Sequence, residues 1–260
     1  MKRKILFILF FLLFSIFIVV TSIFVHKNIS SILCNNIEII FDSKISFVDK
    51  NYILNYLKEN NFKIDSTTKI SEIDFYKIEK QIKTIPYIKD VDIYNNFSGT
   101  VFFKITQRNP IARIFTAENQ QFYIDDENQI IPTSPNYSAL VPVVICEKIN
   151  KQFFLPIDNN ISDKNIINYQ LTSQDFFNFL QYIDHSDLWK NQIDQIHITG
   201  KNEIELIPRI GNQIILLGTI DNFKYKLNKL NSLYQEVLLK GNWNKYQVIN
   251  LKYSNQIICK

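Results

Sequence analysis

The first 25 residues constrain this chain more than any other stretch. Lys2-Arg3-Lys4 runs directly into Ile5 to Val25, an apolar run interrupted only by Ser15, Thr21 and Ser22. At about 1.5 Å of rise per helical residue, such a run matches the ~30 Å hydrocarbon core of a bilayer, and a helix satisfies its backbone polar groups internally. The expectation is a single transmembrane helix over residues 5–25. Three cations flank its amino-terminal side and only His26 and Lys27 the other, so residues 1–4 read as a cytoplasmic stub and everything from about residue 28 as extracytoplasmic. A cleaved signal peptide is the competing reading, but its apolar region runs to ~7–15 residues and no Ala-x-Ala-like site follows here. Lipidation of Cys34 would need a small residue before it, and Leu33 stands there.

The remaining length suffices for one large domain or two modest ones. Lys and Arg total 29 against 25 acids, and three of those cations lie in the stub, which leaves the rest nearly neutral. That balance argues against a nucleic-acid surface. Mixed runs such as Lys77-Ile78-Glu79-Lys80 read as solvated helix faces. Cys34, Cys146 and Cys259 are too far apart for metal-ligand spacing, and an odd number cannot all pair within one chain.

Hydrophobic periodicity then orders the chain. Asn36 to Phe41 alternates as a strand. Asp49 is a candidate N-cap for a helix carrying Tyr52, Ile53, Tyr56 and Leu57 and ending at Asn60-Asn61. A second helix is expected from about Glu72 to Lys83, closed by Pro86, followed by strands Ile88 to Tyr94 and Thr100 to Thr106 around the turn Asn95-Asn96-Phe97-Ser98-Gly99. The order is strand, helix, helix, strand, strand.

Beyond Pro110 the pattern becomes mostly β. Phe122-Tyr123-Ile124 leads into Asp125-Asp126-Glu127-Asn128, and Val141 to Ile145 is a short apolar run. A helix is expected from about Gln174 to Trp189, capped by Thr172 or Ser173. Strands Ile193 to Thr199, Glu203 to Pro208 and Gln213 to Leu217 follow as a meander. The last helix is expected from Asp221 to Gly241, and the last strand over Gln247 to Ser254, with Ile249, Leu251 and Tyr253 on one face.

Signals of chemistry are sparse. His185 and His197 sit in no metal or nucleophile motif, and Asp125-Asp126-Glu127 lacks the glycine and distant glutamate of a calcium loop, so it reads as an acidic turn. No phosphate-binding glycine loop or Gly-x-Ser-x-Gly elbow occurs. No catalytic, cofactor or metal residue is assigned.

The stretch from Ile85-Pro86-Tyr87-Ile88 to Asp92-Ile93-Tyr94, then Gly99 to Thr106 and Gln107-Arg108-Asn109-Pro110-Ile111-Ala112, resembles the end of the POTRA domain in the bacterial cell division family FtsQ/DivIB. Tyr123-Ile124-Asp125 to Pro132, Val141-Pro142-Val143-Val144, Leu216-Leu217-Gly218, Lys226-Leu227 and Val248-Ile249-Asn250-Leu251-Lys252-Tyr253 resemble the family's continuation. Three features depart from it: the stub is short, Gln107 stands where an acid is usual, and no glycine follows the first strand near Phe41-Asp42.

The resemblance implies an α+β chain with a single N-terminal transmembrane helix, a POTRA-like β-α-α-β-β domain over 35–110, and a mainly antiparallel β domain with flanking helices over 111–260. It further implies a non-enzymatic scaffold of the divisome, in the bacterial inner membrane at the division septum. Its partners would be small single-pass coiled-coil division proteins resembling FtsB or DivIC and FtsL, with other divisome proteins on the POTRA domain. No cofactor is implied. The partner would be held at the final strand, by Leu251, Lys252 and Tyr253, then Ile249 and Asn250, with Ser254 at its end. Ile249, Leu251 and Tyr253 could instead seal the core under the last helix. Competing functions are a POTRA-bearing assembly or secretion factor and a membrane-anchored extracytoplasmic hydrolase, the latter favoured by a cleft that gathers a histidine with carboxylates.

Overall fold

The computed structural model describes residues 10–22, 31–155, 171–237 and 245–260. Residues 10–22 form helix α1 inside the apolar run. The hydroxyls that interrupt the run turn back onto their own backbone: Ser15 Oγ donates to the Leu12 carbonyl at 2.9 Å and Thr21 Oγ1 to that of Phe17 at 2.8 Å. Among the described residues no helix is long and apolar enough to cross a membrane. The expected ends of the span, 5–9 and 23–25, lie outside the described residues.

Contacts divide the chain into two compact units, Met1–Gln107 and Arg108–Lys260. The first contains β1 (Asn36–Phe41), α2 (Lys50–Glu59), α3 (Phe75–Ile82), β2 (Ile88–Asn95) and β3 (Thr100–Gln107). Its sheet has the order β1-β3-β2, with β1 parallel and β2 antiparallel to β3. Asp49 caps α2 as expected, its Oδ1 accepting from Tyr52 N–H at 2.8 Å. The second helix starts later than Glu72: residues Ile70–Glu72 form a 3-10 turn, and Asp74 accepts from Lys77 N–H at 3.0 Å to fix the start at Phe75. Ile53, Leu57, Ile78 and Ile82 from the helices bury against Val91, Ile93, Val101, Phe103 and Ile105 from the strands. Gln107 is buried and used: its amide nitrogen donates to Ile45 O at 2.9 Å and Val48 O at 3.1 Å, and its oxygen accepts from Val48 N–H at 3.2 Å. An ionised acid could accept there but could not donate, which accounts for the amide.

The second unit is built on a nine-stranded sheet. Its strands are β4 (Pro110–Phe115), β5 (Gln121–Asp125), β6 (Ile130–Pro132), β7 (Val143–Cys146), β8 (Ile193–Ile198), β9 (Ile204–Pro208), β10 (Ile214–Gly218), β11 (Val248–Asn250) and β12 (Ile258–Cys259). They lie in the order β12-β11-β10-β9-β8-β7-β4-β5-β6. The meander β8-β9-β10 is antiparallel, whereas β4-β7, β7-β8 and β10-β11 pair in parallel. The helix expected over Gln174 to Trp189 is two, α4 (Ser173–Asp184) and α5 (Asp187–Gln192). Ser186 divides them by accepting from Trp189 N–H at 3.3 Å, the cap of a new helix. Helix α6 (Phe223–Leu233) follows Asn222 in the left-handed region, so it begins two residues after Asp221. Its expected end at Gly241 lies outside the described residues.

Candidate partner-binding edge

The carboxy-terminal strand is shorter than its alternation suggests. β11 covers Val248–Asn250, not Gln247 to Ser254, and it lies between β10 and β12, so both of its sides are taken. Leu251 N–H still donates to Leu216 O at 2.9 Å, but Lys252 N–H turns to the side-chain oxygen of Asn250 at 3.0 Å, which ends the ladder. Ile249 and Leu251 are wholly buried in the core with Leu227 and Leu230 of α6. They have no surface to offer a partner. Asn250 is half-buried, while Lys252, Tyr253 and Ser254 are exposed, Tyr253 to 50%.

Helix α6 holds this exposed turn from beneath. Lys229 Nζ donates to the carbonyls of Tyr253 at 2.5 Å, Ser254 at 3.3 Å and Gln256 at 3.4 Å, and the Tyr225 hydroxyl donates to Ser254 O at 2.9 Å. The Lys229 ammonium also lies 5.4 Å from the Tyr225 ring centre. Burial lowers the pKa of Lys229 below the usual lysine value. The spacing of Tyr225 and Lys229, four residues on one helical face, was visible in the sequence, but not that their target is a loop 24 to 29 residues away.

Lys252 is fixed on the other side. Its ammonium pairs with Glu203 at 2.6 Å, and its stem covers Gly218, whose φ of +77° already excludes most side chains and where an added Cβ would come within 2.9 Å of Lys252 Cγ.

Among the described strands the open edge at this end of the sheet is β12. Val248 and Lys260 exchange both backbone hydrogen bonds, and Ile249 faces Cys259 in the next register position. In an antiparallel ladder the hydrogen-bonded pairs alternate, so the N–H and C=O of Cys259 point away from β11, toward the outer side of the sheet. No described strand covers that side. At the opposite end of the sheet the edge is β6, only three residues long and ending in Pro132, a blunted edge.

The histidines do not form a site together. His185 caps α4, with Nδ1 at 2.7 Å from Gln181 O. His197 on β8 has Nε2 at 3.2 Å from Glu147 and Nδ1 at 3.3 Å from Glu205, so neither nitrogen is left to activate a nucleophile. Among the described residues no group of three His, Cys, Asp or Glu side chains could hold a metal. Asp125 is wholly buried and organises its turn: one oxygen pairs with Arg108 at 2.7 Å and the other accepts from Glu127 N–H at 2.9 Å and Gln129 N–H at 2.7 Å.

A three-stranded β-α-α-β-β unit followed by a large sheet that ends on a short open strand defines a two-unit α+β architecture of the POTRA-plus-β-domain class. Residues 32–106 match a model of the POTRA-like domain. Residues 109–260 match the model of the FtsQ/DivIB, C-terminal related family, and the chain belongs to that family of division proteins. No curated protein matches the chain.

Proposed function

We propose that the chain is a non-enzymatic, membrane-anchored scaffold of the bacterial divisome, which links early and late division proteins through its extracytoplasmic domains. Its partners at the carboxy-terminal end are small single-pass coiled-coil proteins of the kind represented by FtsB or DivIC and FtsL. One observation carries the reading: the sheet of a division-family domain ends on β12, with the backbone of Cys259 unpaired, beside the exposed turn 252–256 that α6 clamps. An incoming extended segment would complete the ladder with Cys259 and pack side chains on Tyr253. Strand addition is proposed one strand outward of Leu251 to Ser254, because those residues direct their backbone to Leu216, Asn250, Tyr225 and Lys229.

The apolar run and its basic flank support an anchor in the inner membrane with the two domains outside it. Replacing Tyr253 with Ala tests the contact: capture of the partner from dividing cells should weaken by the ~2 kcal/mol or more of an interface aromatic, with unfolding temperature unchanged. A variant that captures the partner normally would remove Tyr253 from the interface.

A further inference from the structure

The first unit has two distinct ends. β1 starts level with the start of β3, Asn36 opposite Thr100, so the chain enters the unit at the β2-β3 hairpin and leaves from the far end at Gln107. The entry is bound tightly to that hairpin. Asn35 N–H donates to Gly99 O at 2.8 Å and Asn35 Nδ2 to Ser98 O at 2.9 Å, while a side chain on Gly99, at φ +85°, would collide with Leu33 O. The hairpin turn is rigid as well: Asn96 Oδ1 accepts from Ser98 N–H at 3.1 Å, Ser98 Oγ at 2.7 Å and Thr100 N–H at 2.9 Å.

This rigid turn holds Phe97 outward, 82% exposed. It is not alone. α3 runs antiparallel to β2, with Lys83 paired to Asp90 at 2.6 Å and Glu79 accepting from Ile93 N–H at 2.9 Å, so Tyr76, a turn earlier and 75% exposed, lies toward the same end. Leu33 is 41% exposed where the chain enters. Nearby Lys63 pairs with Asp65 and Lys69 with Glu72, so this end is aromatic and apolar rather than strongly basic.

Only seven residues lie between Val25, the last of the apolar run, and Leu33, a reach of at most about 28 Å even when fully extended. We infer that the Phe97 hairpin tip is a membrane-contact site: Phe97 inserts into the lipid head-group and acyl boundary, with Tyr76 and Leu33 beside it, so that the tip end of the first unit faces the bilayer and Gln107 lies at its far end. Aromatic side chains favour that boundary, and an apolar contact of this kind needs no anionic lipid. The inference rests on the proposed membrane anchor.

The test uses the full chain reconstituted in phosphatidylcholine vesicles whose acyl chains are brominated near the head group. Phe97→Trp reports the tip, and Lys44→Trp, exposed at the far end of the same unit, is the control. Flotation of the protein with the vesicles reads the anchor separately. The expected result is that the emission added by Trp at 97 falls about two-fold on bromination, at low and high salt alike, whereas that at 44 is unchanged. Protein that floats while both positions stay unquenched would overturn the tip contact and leave the anchor standing. Shifted but unquenched emission at 97 would set the tip against protein, such as a second copy of the chain, rather than lipid, and overturn the lipid contact equally. Protein that fails to float would refute the anchor, and the tip contact with it.

Discussion

The Lys229 ammonium donates to the Tyr253 carbonyl at 2.5 Å, tying the middle of α6 to the turn that precedes the last strand. The same nitrogen reaches the carbonyls of Ser254 and Gln256, so one side chain fixes the backbone over four residues. In the proposed strand addition, this clamp would remove part of the cost of ordering the edge beforehand.

Lys229→Met keeps the stem and removes the donor. Capture of the partner should weaken roughly ten-fold, ~1.4 kcal/mol, while unfolding free energy falls by only about 1.5 kcal/mol. Titration of the purified variant with the partner, alongside its thermal unfolding, reads both. Unchanged affinity would show that the turn needs no clamp.

Asp125→Asn addresses the buried pair with Arg108. The amide can still accept from the Glu127 and Gln129 N–H groups, but the guanidinium loses its nearer, wholly buried ionic partner at 2.7 Å and keeps only the more exposed Glu127 at 3.4 Å. Breaking such a pair costs about 3 kcal/mol. Denaturant unfolding should show a loss of that size, and partner affinity of the folded fraction should not change. A loss under about 0.5 kcal/mol would place Asp125 among ordinary surface residues.

Tyr234 carries the alkaline behaviour. Burial pushes its phenol up to about 12 from the ordinary 10, partly offset by a hydrogen bond with Gln192. A raised acid pKa means that the contribution of Tyr234 to stability is fully present below pH 10 and is lost as pH climbs toward 12. The two-unit difference corresponds to roughly 3 kcal/mol. Burial also raises the Cys146 thiol to about 12, with the same sign from pH 9 upward, so the informative comparison is between the chain and its Tyr234→Phe variant. That variant should lose stability less steeply between pH 10 and 12. Equal slopes would contradict the assignment.

How much of this was legible in the sequence follows the range of the forces involved. The Asp49 cap, the alternation of Val91 and Ile93, and the acidic turn at Asp125 depend on near neighbours and could be read. Ser186 could have been read as a cap dividing Gln174 to Trp189, but the apolar periodicity runs straight across it. Ile249, Leu251 and Tyr253 alternate as a strand would, yet only the bond from Lys252 N–H to Asn250 shows where the ladder ends. The real edge, Ile258–Cys259, is too short for any periodicity. The clamp from α6 is a tertiary contact that no local pattern announces.

Orientation needs a reporter other than a native thiol. Cys34 is 2% exposed and its pKa is raised, chiefly by burial, so it reacts poorly in the folded chain. Ser66→Cys, at an exposed loop position, in a chain with Cys259→Ser, should react with a membrane-impermeant maleimide applied from the extracytoplasmic side of intact cells. Reaction only after the inner membrane is opened would reverse the topology.

The most direct test of strand addition is Cys259→Pro. The N–H at this position points away from β11, so proline removes no hydrogen bond within the sheet and fits an edge strand. It removes the donor that an incoming strand would use, and Cys259→Ser controls for loss of the thiol packed against the core. Measured on the full chain, recruitment of the small coiled-coil partner should fall by at least ten-fold, about 1.4 kcal/mol, with unfolding temperature unchanged, whereas Cys259→Ser should recruit normally. Undiminished recruitment by a folded proline variant would contradict strand addition at β12.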